Sequence, residues 1–329
     1  EVLARKIKSN CLVILQSTVL PGTLRRVIHP IFKKIFKGRG FKENPQLAYS
    51  YERVMPGKNY LKSITHNFRC YAGLCKKSER KCKTFFSKFI NTKKFSITKL
   101  ETTESTEIAK IMENSYRAVN IAFIEEWAEY SESIGVNLFE IIKAIGLRET
   151  HKNIAKPGFG VGGYCLTKDP LFAGIAARHI QNTRKLKFPF SELAIKTNQF
   201  MPKRCLYKLE GYLKSLKNKK ILIAGVSYKG DVGDDRFSPT IDFYNLALKK
   251  GAKIFLSDPL LTKSELIKKK IETNINNFNF EKLDVIVLAV KHEAYLNKKI
   301  FNLILSIRRK IIIFDACNLL SDNQIKILK

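Results

Sequence analysis

The chain has 329 residues, with 60 Lys and Arg against 29 Asp and Glu, a formal net charge of +31 and 45% hydrophobic residues. That composition excludes a disordered protein, and the length is enough for two or three domains. No apolar run approaches the roughly 18 to 20 residues that cross a bilayer, and the lysines fall in short scattered groups without an aromatic-studded basic stripe, which argues against membrane and nucleic acid as partners.

The opening stretch, Glu1-Val-Leu-Ala-Arg-Lys-Ile-Lys, reads as the end of a helix already under way, so the chain is expected to begin inside a domain. Residues 11–16 are a continuous apolar run, as in a strand covered on both faces. Ser17-Thr18-Val-Leu-Pro21-Gly22 follows, then an amphipathic helix over residues 23–37. Ligands bind at the carboxyl ends of such strands, so Thr18 is a candidate contact for cofactor or substrate, or else a helix cap. Next come a short apolar stretch at 47–51 and the Glu52-Arg53 pair beside a Pro-Gly turn, which reads equally as a surface ion pair. Residues 58–100 predict one or two helices and a short strand at 95–98, with no chemistry.

Acidic residues in the first turns open a long helix over 104–134, with Ile111, Tyr116, Val119, Phe123 and Trp127 at near-helical spacing. Lys110 and Asn114 lie four apart on one face, where they are either solvated or aimed at one ligand. Gly135 ends this helix, and a second over 138–144 leads to Pro157-Gly158-Phe159-Gly160-Val-Gly162-Gly163-Tyr-Cys165-Leu-Thr-Lys-Asp169-Pro170. Gly158 to Gly163 matches G-x-G-x-x-G, yet a polar stretch precedes it, and the basic run 183–187 stands where a ribose-binding acid belongs. The glycines are therefore read as a backbone cradle for a ligand and Cys165 as the candidate reactive group; the plain alternative is a flexible loop with an incidental cysteine. The seven cysteines show no paired C-x-x-C spacing, which argues for free thiols in a reducing cytoplasm and against zinc.

Helices over 171–179 and 190–216 follow, and Lys217-Asn-Lys-Lys220 marks a boundary. Strands are predicted at 221–225, 253–259, 284–290 and 311–315, with a helix ending near 250, giving a second α/β domain with a parallel sheet. Its first strand-to-helix loop holds Lys229 and Arg236, the right charges for a phosphate.

Five blocks now stand in order: Ser17-Thr18-Val19 with Pro21-Gly22; Tyr51-Glu52-Arg53-Val-Met-Pro56-Gly57; Lys110-x-x-x-Asn114; the stretch from Gly158 to Pro170; and Gly225-x-x-Tyr-Lys229-x-Asp231-x-x-Asp234-x-Arg236-x-Ser238-Pro239. Together they resemble the nucleotide-sugar 6-dehydrogenases, the UDP-glucose, UDP-N-acetylglucosamine and UDP-N-acetylmannosamine dehydrogenase group. The resemblance covers nearly the whole chain. It implies an α/β fold in three parts: a truncated N-terminal Rossmann-like domain (1–100), a central helical dimerisation region with the glycine and cysteine loop (101–217), and a C-terminal Rossmann-like parallel-sheet domain that binds the UDP-sugar (218–329).

The resemblance further implies an NAD-dependent, four-electron oxidation of the sugar C6 alcohol to the carboxylate. Cys165 would attack the intermediate aldehyde to form a thiohemiacetal and then a thioester. Asp169, Glu52 and Thr18 would serve proton transfer and water activation, with Lys110 and Asn114 at the developing oxyanion. A cysteine entering a helix after a glycine turn would have a lowered thiol pKa. Gly158, Phe159, Gly160, Gly162, Gly163 and Lys229 would meet the sugar nucleotide, and Ser17, Thr18 and Arg236 the NAD. Arg148 or Lys152 would reach a neighbouring subunit of a homodimer or larger homo-oligomer built on the long helix. The substrate reads as a UDP-N-acetylhexosamine, with UDP-glucose as the alternative. The family's glycine turn for the NAD pyrophosphate is expected to precede Glu1, so a nucleotide-sugar-binding chain without turnover also stands. Two further rivals are a β-hydroxyacid-type dehydrogenase working without a nucleophilic cysteine, and a basic binding protein.

Overall fold

The computed structural model describes residues 1–183, 185–296 and 299–328, so Arg184 of the basic run lies outside the described residues. The chain divides into two compact units, one of Glu1–Tyr116 and Lys168–Glu192, the other of Arg117–Thr167 and Leu193–Lys329.

In chain order the first unit holds helix α1 (Val2–Lys6), strand β1 (Leu12–Leu15), helix α2 (His29–Gly38), β2 (Gln46–Tyr49), α3 (Tyr60–Thr65), β3 (Arg69–Gly73), α4 (Lys76–Ser87), β4 (Ile97–Lys99) and the first turns of the long helix α5 (Thr103–Ser133). The four strands form one sheet in the order β1-β2-β3-β4; β1 pairs parallel with β2 and β3 with β4, while β2 and β3 run antiparallel. Strand β2 is buried on both faces. Leu47 and Tyr49 pack with Leu24, Phe36 and Tyr51, and Ala48 packs with Tyr71, Cys82 and Phe86 on the other side.

Two local features depart from the sequence reading. The expected helix over 23–37 is a π-helical segment, Thr23–Ile28, followed by α2. Pro30 lacks the N–H that an uninterrupted α-helix would use there, and the wider turn accommodates the loss. Strand β3 is absent from the sequence reading because it opens on a charge. Arg69 is nevertheless buried, with Nη1 donating to the Tyr51 carbonyl (2.9 Å) and Gln16 Oε1 (3.1 Å), and its guanidinium lies over the Phe86 ring.

The second unit contains the rest of α5, then α6 (Leu138–Ile145). Helix α7 (Phe172–His179) belongs to the first unit. The chain continues with α8 (Pro189–Leu213), β5 (Lys220–Ala224), α9 (Pro239–Lys249), β6 (Lys253–Ser257), the short β7 (Lys263–Ser264) and β8 (Lys269–Lys270), β9 (Val285–Leu288), α10 (Glu293–Leu296), α11 (Lys299–Leu305), β10 (Ile312–Asp315) and α12 (Asp322–Leu328). Strands β10-β9-β5-β6 form a wholly parallel sheet in that order. Alternate residues feed two cores, as expected of a sheet covered on both faces. Ile221, Ile223, Val285 and Val287 pack on Leu206, Leu209, Phe243 and Ala247; Leu222, Ala224, Ile286 and Leu288 pack on Tyr295, Ile300 and Phe301. The strand order reverses at β5, so the crevice that ligands favour in such sheets opens at the carboxyl ends of β5 and β9. Among the described residues no helix is long and apolar enough to cross a membrane.

Candidate active site

In the first unit α5 supplies one buried polar face. Thr102 Oγ1 accepts from the Ser105 N–H (3.0 Å) and caps the helix start. Glu107, Lys110 and Asn114 then recur at spacings of three and four, and all three are buried. Lys110 Nζ donates to the Glu52 carbonyl at 3.0 Å and lies 3.6 Å from Glu52 Oε1. Asn114 Nδ2 donates to Asp169 Oδ2 at 2.8 Å, and Lys168 Nζ donates to Asp169 Oδ1 at 2.8 Å. Lys110 and Asn114, both buried on one face of α5, thus hold the half-buried Glu52 and the buried Asp169 respectively.

The Glu52-Arg53 pair is not a local ion pair. Glu52 Oε2 accepts from the Val54 N–H (2.6 Å), and Arg53 pairs with Glu113, which also accepts from the Tyr51 hydroxyl (2.8 Å). Glu107, Tyr49 and Glu113 were not among the sequence candidates. Burial, and then the carboxylates of Glu107, Asp169 and Glu52, push the Tyr49 phenol up, so its hydroxyl remains a donor, here to the Ser17 carbonyl (3.1 Å). Ser17 is exposed and Thr18 half-buried in the turn after β1. The spacing of Glu107 to Lys110 was the available signal for that residue; an acid on a helix otherwise reads as solvated.

In the second unit the glycine loop is fastened at its start by Glu125. This buried carboxylate accepts from the Gly158 N–H (2.8 Å), and Arg204 Nη1 lies 3.4 Å from its Oε2. Phe159 turns into the core against Phe243, with ring centroids 5.1 Å apart. The glycines are pressed against the loop between β5 and α9. A Cβ on Gly160 would stand 2.5 Å from Pro239 Cβ, one on Gly162 2.7 Å from the Phe237 carbonyl oxygen, and one on Gly163 2.8 Å from the Tyr228 ring. The Gly163 N–H also donates to the Arg236 carbonyl at 3.1 Å. Gly163 has φ +80°, so Gly163→Ala adds backbone strain to a ring clash. It is expected to cost about 1–3 kcal/mol, read as a lower thermal midpoint.

Cys165 follows, half-buried. It does not enter a helix directly, as the sequence reading expected: turns occupy 164–168, a short 3-10 helix spans Asp169–Leu171, and α7 begins only at Phe172. Thr167 Oγ1 donates to the Gly163 carbonyl (2.9 Å) and closes the turn. Burial, followed by the nearby Asp234 and Cys165, pushes the Tyr228 phenol up, which puts that ring within electrostatic reach of the thiol. Lys229 is exposed, and Arg236, also exposed, is held by Asp234 at 2.7 Å.

A polar cavity of about 800 Å³ lies within the second unit, lined by Lys143, Lys152, Lys156, Lys291 and Asn318 among others. An apolar groove of about 540 Å³ runs beside Phe123, Trp127, Tyr130, Ile141 and Arg148. Lys152 therefore lines the polar cavity and Arg148 the apolar groove. Neither glycine turn fits a dinucleotide pyrophosphate. In the 158–163 turn the Cβ sides of Gly160, Gly162 and Gly163 are occupied as described while that of Gly158 is open, and a Cβ on Gly225, at the sheet crevice, would meet Val290 Cβ at 2.4 Å.

Comparison with known proteins gives a consistent family. The profile described as "UDP-glucose/GDP-mannose dehydrogenase family, central domain" matches residues 104–199, and the one described as its "UDP binding domain" matches residues 222–322. A UDP-N-acetyl-D-mannosamine dehydrogenase of Methanococcus maripaludis is 32% identical over 322 residues, 96% of this chain and 68% of that protein. A UDP-glucose 6-dehydrogenase of Rickettsia prowazekii is 30% identical over 99% of this chain and 73% of its own length. Among solved structures, an NDP-N-acetyl-D-galactosaminuronic acid dehydrogenase from Methanosarcina mazei superposes with a TM-score of 0.82 at 26% identity, covering 99% of this chain and 69% of that one.

Proposed function

The chain belongs to the UDP-glucose/GDP-mannose dehydrogenase family, and from that premise we propose that it is a UDP-sugar 6-dehydrogenase that converts the C6 alcohol of a UDP-N-acetylhexosamine to the carboxylate. The observation that carries the reading is the set of buried Lys110, Asn114 and Asp169 with the half-buried Glu52, because a lysine and an amide kept out of water serve to stabilise an oxyanion. The names of the relatives favour the N-acetylated sugar over UDP-glucose.

In this reading the Cys165 sulfur adds to the C6 aldehyde carbon, and Lys110 and Asn114 stabilise the oxygen that becomes negative. Once the thiohemiacetal is oxidised to the thioester, Asp169 and Glu52 take the proton of the attacking water, with Thr18 beside it, and hydrolysis returns the thiol. The family implies NAD as the oxidant, to which Ser17, Thr18 and Arg236 are assigned; the filled glycine turns do not supply its pyrophosphate cradle. Gly158, Gly160, Gly162, Gly163 and Lys229 are assigned to the sugar nucleotide, as is the backbone of Phe159. The lysine-lined cavity, formed by residues from 139–156 and 291–324, supports a diphosphate. The apolar groove beside Trp127 supports self-association through α5.

Incubation with UDP-N-acetyl-D-mannosamine and NAD+ is expected to yield the uronic acid with two NADH per sugar. Failure to bind the UDP-sugar in calorimetry, together with no NADH, would sink the reading. Tight UDP-sugar binding without NADH would select the second reading, a nucleotide-sugar-binding chain without turnover.

A further inference from the structure

Resting on the reading that Lys110 and Asn114 serve the sugar, we propose that Glu107 is a positioning residue: its carboxylate clamps the Pro21-Gly22 turn, and with it Ser17 and Thr18, to the face of α5 that carries Lys110 and Asn114.

The geometry is specific. Glu107 Oε2 accepts from the Gly22 N–H at 2.5 Å, and Oε1 accepts from the Leu24 N–H at 2.9 Å. Both oxygens are therefore acceptors, a state only the ionised carboxylate offers in full; the acid or an amide sets a donor against one N–H. The turn is held elsewhere by neutral groups. Gln181 Nε2 donates to the Pro21 carbonyl (3.0 Å), Thr23 Oγ1 to the Leu20 carbonyl (2.6 Å), and Gly22, at φ +93°, packs where a Cβ would meet Ile180 at 2.9 Å. Glu107 is the ionisable member of this set. It begins the polar face that continues one turn later at Lys110 and two turns later at Asn114.

Charged and titratable groups around it come from three elements: Arg25 from the π-helical segment, Glu104 from α5, and Tyr49 from β2. Arg25 is already engaged with Glu104 at 2.7 Å, and among the described residues no cation forms an ion pair with Glu107. Burial consequently pushes its carboxyl up to about 7, against the pull of the Leu24 and Gly22 N–H groups. The carboxyl thus changes charge near neutrality. The raised value has a defined sign for stability: the native state binds the extra proton, so this contribution is full below the usual carboxylate range and is lost as pH rises through about 7.

The test pairs Glu107→Gln with the unaltered protein. In wild type the 17–28 segment is expected to be protected from amide exchange at about pH 8, where the carboxylate is ionised, after correction for the intrinsic rate. In E107Q exchange over 17–28 is expected to be about tenfold faster at that pH, while strands β5 and β9 are unchanged. Turnover of UDP-N-acetyl-D-mannosamine with NAD+ should lose about tenfold in kcat with KM within about twofold, and the acid limb near neutrality should disappear. Unchanged exchange over 17–28 in E107Q, or an acid limb that persists there, overturns the proposal. A wild-type protein without turnover counts instead against the dehydrogenase reading, and amide exchange still decides the clamp.

Discussion

Serine in place of Cys165 is expected to abolish uronic acid formation, with turnover of the UDP-sugar falling about 10⁴-fold or more and its binding changed by less than about threefold. Thiols as a class are more acidic and more nucleophilic than alcohols, whereas a serine hydroxyl needs an adjacent base to become a nucleophile, and a thioester intermediate has no serine equivalent of the same reactivity. Because α7 starts only at Phe172, the ionisation of this thiol cannot be assigned to an α-helix beginning at the cysteine. Mass spectrometry of acid-quenched wild-type protein should find the sugar nucleotide on the peptide containing Cys165, and C165S should lack it. Full two-step turnover by the serine variant would remove the covalent mechanism. It would also revive the dehydrogenase rival that works without a cysteine.

The largest structural effect is expected at Asp258, at the end of β6. It is fully buried and accepts from the Val226 N–H, the Ser227 N–H and the Ser227 hydroxyl, each at 2.8 Å, and from the Leu260 N–H at 2.9 Å, with His292 Nε2 3.2 Å away. Burial alone would raise this carboxyl. The His292 ring and the surrounding N–H groups outweigh it and hold the carboxyl below its usual value. Its contribution is therefore present at neutral pH and is lost as acid protonates it. Asp258→Ala strands four donors and is expected to cost about 3–5 kcal/mol, seen as a lower denaturant midpoint for the second unit. A midpoint within about 0.5 kcal/mol of wild type would show that water replaces the carboxylate.

The C-terminal sheet was legible because β5, β9 and β10 are continuous apolar runs between turn signals, a pattern set by burial on both faces. The long helix was legible from its length and spacing, and Lys110 with Asn114 from their separation on it. Strand β3 was not, since its first residue is an arginine whose burial depends on Phe86 and the Tyr51 carbonyl, partners distant in sequence. Glu107 and Glu113 escaped for the same reason: an acid on a helix declares itself only through partners distant in sequence, Gly22 and Leu24 for the first and Tyr51 and Arg53 for the second. The turn at Cys165 was misjudged because the glycines before it suggested an immediate helix start, whereas the chain needs several residues of turn first.

The contact between the glycine loop and the loop from Tyr228 to Pro239 has an evolutionary consequence. Gly160, Gly162 and Gly163 can gain no methyl unless Pro239, Tyr228 or the Phe237 backbone gives way, and those residues have no freedom to grow while the glycines stay. The two stretches are far apart along the chain yet can diverge only in concert. Recombination between relatives that splits them should therefore produce misfit offspring even when each half comes from a working parent.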